Sequence, residues 1–170
     1  VGVYNDRLQH MGQSAAQFLD TDPDLDEENY NLLYTIVLAA DFDYQVKNGG
    51  FAQLIFNLGR DRLEHCHVML TTVNAPVALS FYVRAIKLCV ENPADFDQLM
   101  ADFSVPTVLG QNLISLTVEY LRGANSFDAE VAEFIDSVGE HMRAGLRASP
   151  IGTGADASLG EARPAEWRSR

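Results

Sequence analysis

Apolar side chains recur along this chain every three or four residues, the spacing that lays a single stripe along an α-helix. Tyr4, Leu8, Met11, Ala15, Phe18 and Leu19 make one such stripe, which predicts an amphipathic helix over residues 4–19. Asp20-Thr21-Asp22-Pro23-Asp24 ends it. Asp24 or Asp26 is placed to cap the next helix, and Glu27 and Glu28 fall in its first turn, where carboxylates complement the helix dipole. From Glu27 to Lys47 apolar residues occupy nearly the whole wheel: Tyr30, Leu33, Tyr34 and Val37 on one side, Leu32 and Ile36 on another, Leu38 and Phe42 on a third. A helix of that kind belongs at the buried centre of a bundle.

Asn48-Gly49 reads as the stop of this central helix, with Gly49 in the left-handed conformation, and Gly50-Phe51 as the opening of the next, which runs to Leu58-Gly59. Further starts are marked by Asp61 for a helix to about Met69, Pro76 for one reaching Val90, Pro93 for a short helix over 94–103, and Pro106 for one ending at Leu121. Ser126 is placed to cap a last long helix from Phe127 to about Leu146. No run of alternating β-branched residues is long enough for a sheet. The fold class is therefore all-α: a single-domain multi-helix bundle of about seven to eight helices over residues 1–148. Residues 149–170 turn to Gly, Ala, Ser, Pro and scattered charge without period, which predicts a flexible C-terminal tail whose one large apolar residue is Trp167.

Charge adds a direction to this picture. Lys and Arg total 12 against 24 Asp and Glu, a formal charge of −12, which disfavours direct binding to nucleic acid or anionic lipid and favours cationic partners. The excess is concentrated in two regions, nine acids against two bases in residues 1–59 and seven against two in residues 101–145. The Asp20–Glu28 segment supplies Asp20, Asp22, Asp24, Asp26, Glu27 and Glu28, and a helical wheel places Glu130, Glu133, Asp136 and Glu140 on one face of the last helix, opposite Phe134, Ile135, Val138 and Met142. Acids at i and i+4 are about 6 Å apart along the axis, a spacing that two such surfaces can use to approximate a phosphate array. A solvated surface is the simpler account of the same acids.

Catalytic and metal chemistry finds little support. His65 and His67 are two residues apart on a helix and point to different faces, so no metal site is expected, and neither a P-loop nor a G-x-G-x-x-G segment supplies a nucleotide site. No cofactor is expected. Cys66 and Cys89 have no nucleophile context and no ligand spacing; as isolated thiols they fit a reducing compartment, and with no leader pattern in Val1–Asp6 the expected location is cytoplasmic. The uncharged stretches Val68–Val83 and Phe103–Val118 contain Pro and polar residues and read as core rather than membrane span. Asp41 lies on the tyrosine stripe of the central helix near Tyr30 and Tyr34, where burial would raise its pKa or a hydroxyl would satisfy it.

The segment Tyr44-Gln45-Val46-Lys47-Asn48-Gly49-Gly50-Phe51-Ala52-Gln53, followed by Asn57, resembles the Asn-Gly-Gly-Phe-x-Gln signature of an all-helical bacterial domain family of mostly unknown function that includes a neisserial DNA-mimic protein. The likeness is specific over about residues 30–60 and weaker to about Asn125, where Tyr120-Leu121-Arg122 looks like the family's late helix. It implies the fold and the motif residues Asn48, Gly49, Gly50, Phe51, Gln53 and Asn57. Physically, Phe51 is the expected hydrophobic anchor across the turn, and Asn48, Gln53 and Asn57 are the expected partners of backbone groups freed there. The DNA mimic of that family is an acidic helical dimer whose carboxylates stand in for phosphates when it binds a helix-turn-helix repressor. The resemblance therefore implies a non-enzymatic, acidic, protein-binding regulator with a basic, DNA-binding partner and a homodimer as its assembly.

Two other functions fit the residues. One is an inhibitor or immunity-like protein that neutralises a toxin or nuclease through an apolar hot spot beside its charge. The other is an enzyme with a pocket formed by Asn48, Gln53, Asn57 and Asp41 near the glycine turn.

Overall fold

The computed structural model describes residues 3–21, 24–123 and 126–144; the expected tail at 149–170, Trp167 and Asp22 lie outside them. Among the described residues eight α-helices and one 3-10 turn follow each other without a strand. They are α1 (Val3–Thr21), α2 (Glu27–Leu58), the 3-10 turn Arg60–Arg62, α3 (Leu63–Thr72), α4 (Pro76–Glu91), α5 (Pro93–Ala101), α6 (Val108–Leu121), α7 (Phe127–Glu130) and α8 (Ala132–Ala144). The all-α class holds.

Local chemistry sets the boundaries. Asp26 caps α2, its carboxylate accepting the Asn29 backbone N–H at 2.8 Å, and these bonds hold its pKa below the usual carboxylate range. Pro76 and Pro93 occupy the first turns of α4 and α5, where a missing N–H costs nothing. Helix α6 starts at Val108 because Thr107 is its cap, the hydroxyl accepting the Gly110 N–H at 3.0 Å.

Helix α2 is the axis of the bundle and touches α1, α3, α5 and α6, while α4 closes the far side against α3 and α6. The chain turns at Gly50, one residue later than the sequence suggests, and α2 continues on the other side of the kink. Gly50 has φ 75° and ψ −171°, a backbone conformation open in practice to glycine alone. Around the kink lies the aromatic centre of the core. Phe42 meets Phe127 at 4.8 Å between ring centroids, Phe51 meets Tyr120 at 5.6 Å, and Tyr120 meets Phe81 at 5.2 Å. Offset ring pairs of this kind contribute about 0.5–1.5 kcal/mol each beyond the area they bury.

The last expected helix is in fact two. Val131, with φ −94° and ψ 10°, separates the short α7 from α8, and both Phe127 and Val131 are buried in the core. The break directs Glu130 inward, away from the face that a continuous helix would share among Glu130, Glu133, Asp136 and Glu140.

Candidate functional site

Helix α1 runs antiparallel to α2. Gln9 donates to the Ala40 carbonyl at 3.1 Å near the start of α1, and Ala15 is buried against Leu33 and Ile36 further along. Helix α8 lies beside α1 and runs in its direction: Asp136 pairs with Arg7, and Val138 joins Ala15, Leu33 and Ile36. Further along α8, Glu140 is exposed.

Apart from Asp22, the acids singled out from the sequence divide into three groups. Asp20, Asp24, Glu27, Glu28, Glu133 and Glu140 are exposed. Asp136 is exposed and shares its charge with Arg7, and Asp26 is exposed while capping α2. Glu130 leaves the surface set. Its two carboxylate oxygens accept the backbone N–H groups of Val77 at 2.7 Å and Ala78 at 3.0 Å, so it caps the N-terminus of α4 from another element.

The motif residues are fully employed by the kink. Residues at helical spacing cannot supply the Phe51 N–H with a partner across Gly50, and the Thr117 hydroxyl of α6 accepts it at 3.0 Å while donating to the Leu113 carbonyl at 2.7 Å. The amides do something other than expected. Gln53 Nε2 and Asn57 Nδ2 both donate to Gln45 Oε1, at 2.6 and 2.7 Å, which ties the two halves of α2 together on its outer side. Asn48 alone serves the backbone, donating to the Tyr44 carbonyl at 2.9 Å. Gly49 is needed because the Gln53 side chain lies where a Cβ would go, 1.9 Å from its Oε1.

Sequence reasoning missed a buried charge cluster one turn before the kink. Asp43, 2% exposed, holds Lys47 Nζ at 2.6 Å in an ion pair, and the same ammonium lies 3.7 Å from Asp128 of α7. Burial raises the Asp43 pKa, Lys47 opposes that shift, and the nearby Asp128 adds to it. The i, i+4 pair of Asp43 and Lys47 is visible in the sequence; the second carboxylate is not, because it arrives from 85 residues away.

Neither cysteine is placed to act as a nucleophile. Cys66 and Cys89 are both buried, and burial pushes their thiols up to about 12 and about 11. His65 bonds to the Tyr34 hydroxyl through Nδ1 at 3.1 Å while His67 is exposed, so the two face apart, and no group of metal-ligating side chains occurs among the described residues.

Residues 14–139 match the DMP19-like protein family, from the middle of α1 to the end region of α8. The chain belongs to that family. The match extends over both sides of the kink and into α8 as far as Gly139, so it includes the motif but not Glu140. The family points to a DNA-mimic protein, one that acts on a DNA-binding protein. No curated protein and no solved structure matches the chain. Among the described residues no helix is long and apolar enough to cross a membrane.

Proposed function

We propose that this DMP19-like chain is a non-enzymatic, cytoplasmic regulator that covers the DNA-binding surface of a basic protein, a transcription factor for example, with the acidic end of its bundle. Asp20, Asp24, Glu27, Glu28 and Glu140 supply the charge at that end, and Glu133 and Asp136 continue it along α8. The observation that supports the reading is the common direction of α1 and α8, seen in the Arg7–Asp136 pair and in the cluster that Val138 shares with Ala15, from which we infer that the two acidic segments share one end of the bundle. Glu133, Asp136 and Glu140 rise by about 4.5 and about 6 Å along the helix axis, a sparser row of like charge than the one phosphate per roughly 3.4 Å of axis on a duplex strand. The nearby Arg7 neutralises part of Asp136, so Glu27, Glu28 and Glu140 weigh more.

Affinity capture from the native cell with the full chain, eluted by a salt gradient, identifies the partner. Duplex DNA carrying the partner's target should compete for it, and binding should weaken steeply with salt. The combined change Glu27→Gln, Glu28→Gln and Glu140→Gln should leave the fold intact and reduce affinity at least tenfold. Unchanged binding by that variant, or indifference to salt, refutes the reading.

A further inference from the structure

The last turn of α1 and the first turn of α2 form a corner in which both apolar surface and negative charge are left over. Phe18, in the last turn of α1, is 41% exposed. Leu19 and Leu25 on either side of the corner are only half-buried, packed on the cluster of Ala15, Leu33, Ile36 and Val138, which places the two helix ends together. Between Arg7 and Lys47 the chain contains no Lys or Arg, and Asp20, Asp24, Asp26, Glu27 and Glu28 are exposed within that span. Asp26 is used by the α2 cap, whereas Asp20, Glu27 and Glu28 enter no ion pair among the described residues.

The same cluster fixes where α8 delivers the rest of the chain. Val138 shares it with Ala15, three residues before Phe18, and α8 reaches Ala144 six residues later. Trp167 is 23 residues beyond Ala144, outside the described residues. A chain of that length can span up to about 76 Å, against about 28 Å for the whole of the 19-residue α1. Reach is therefore ample. The segment Arg163-Pro164-Ala165-Glu166-Trp167-Arg168-Ser169-Arg170 carries three Arg against one Glu around the single Trp, in a chain whose net charge is −12. It complements the corner twice over, guanidinium against carboxylate and indole against phenyl.

We propose that residues 163–170 dock on the corner formed by Phe18, Asp20, Glu27 and Glu28 of their own chain, with Trp167 against Phe18 and the arginines against the carboxylates. Little intrinsic affinity is needed, because a tethered segment sees its site at an effective concentration of order millimolar. The acids are the ones offered to a basic partner in the function proposed above, so the segment competes with that partner for them. The docking itself needs no partner and is tested without one.

Trp167 is the only indole in the chain, so its fluorescence reports on this segment alone. In the full chain at about 0.05 M sodium chloride, emission should lie at shorter wavelength than that of a free peptide of residues 163–170, and quenching by uncharged acrylamide should be roughly halved. Raising the salt to about 1 M, where the screening length falls to about 3 Å, should bring both to the free-peptide values. The combined change Arg163→Gln, Arg168→Gln and Arg170→Gln should do the same at low salt, as should Glu27→Gln with Glu28→Gln, whose fold is checked by circular dichroism. Asp61→Asn with Glu64→Gln removes as much exposed charge elsewhere and should leave the low-salt signal in place. The signal should also be constant over an about tenfold range of protein concentration. Free-peptide emission at low salt, shielding indifferent to salt or to either the arginine or the Glu27 and Glu28 changes, or equal loss in the Asp61 and Glu64 variant overturns the proposal. So does dependence on concentration, which places the segment on a second copy. None of these outcomes bears on the partner, whose capture by the full chain is a separate measurement.

Discussion

Replacing Gly50 by alanine tests the account of the kink. Two costs should appear. A non-glycine residue at φ 75° and ψ −171° is strained by about 1–3 kcal/mol. The new Cβ would also lie 2.6 Å from Thr117 Oγ1 and 2.9 Å from its Cγ2, so α6 must shift and the bond from the Phe51 N–H to Thr117 is lost in the core. A buried donor left unpaired costs about 1–3 kcal/mol more. Gly59 separates the two terms, because it has nearly the same backbone, φ 69° and ψ 164°, with nothing within 4 Å of where a Cβ would stand. Gly59→Ala should therefore show the strain alone, about 1–3 kcal/mol, and Gly50→Ala about 2–6 kcal/mol, a large share of the roughly 5–15 kcal/mol typical of a domain. Urea unfolding followed by circular dichroism measures both, as midpoint shifts at constant slope. Thr117→Val should cost about 1–3 kcal/mol and should be less than additive with Gly50→Ala, since both remove one bond. Equal losses for the two glycine variants, or full additivity with Thr117→Val, would refute the role given to Thr117.

Other outcomes follow from the polar contacts. Lys47→Met leaves Asp43 and Asp128 facing each other without their shared cation, and with Lys47 partly exposed the loss of stability should be about 2–3 kcal/mol at pH 7, read by urea unfolding. Burial raises the Asp43 carboxyl, so its contribution to stability is complete below the unfolded value near 3.9 and declines as pH rises through the folded value. Asp43→Asn should accordingly flatten the fall in stability above about pH 4, and an unchanged pH profile would remove Asp43 as its source. Glu130→Gln weakens the cap on α4 by about 1–2 kcal/mol and should leave partner affinity unchanged, whereas Glu140→Gln should do the reverse.

How far the residues alone reach is clearest at particular elements. Pro76, Pro93 and Asp26 mark helix starts by local chemistry, and each start is found where that chemistry puts it, within a residue or two. Pro106 misleads by two residues because Thr107 is the better cap, and Gly49 misleads by one because both glycines satisfy the same sequence rule while only Gly50 carries the positive φ. An unbroken wheel over the last helix turns Glu130 outward; the break at Val131 that turns it inward depends on burying Phe127 and Val131 in a core assembled from distant helices. The roles of Thr117 and Asp128 are illegible in the sequence for the same reason. Their partners, Phe51 and Lys47, are reached only through tertiary contact.

The hydroxyl that completes the α2 kink is 66 residues downstream of the amide it serves. During synthesis the whole of α2 is therefore made well before α6 exists, and until Thr117 has been added and docked only water can accept the Phe51 N–H at a bend of this shape. The signature at Asn48-Gly49-Gly50-Phe51 is thus a late event in the assembly of this protein: an early-made segment that reserves a shape for a helix yet to come, and that binds the two halves of the chain to a shared order of folding.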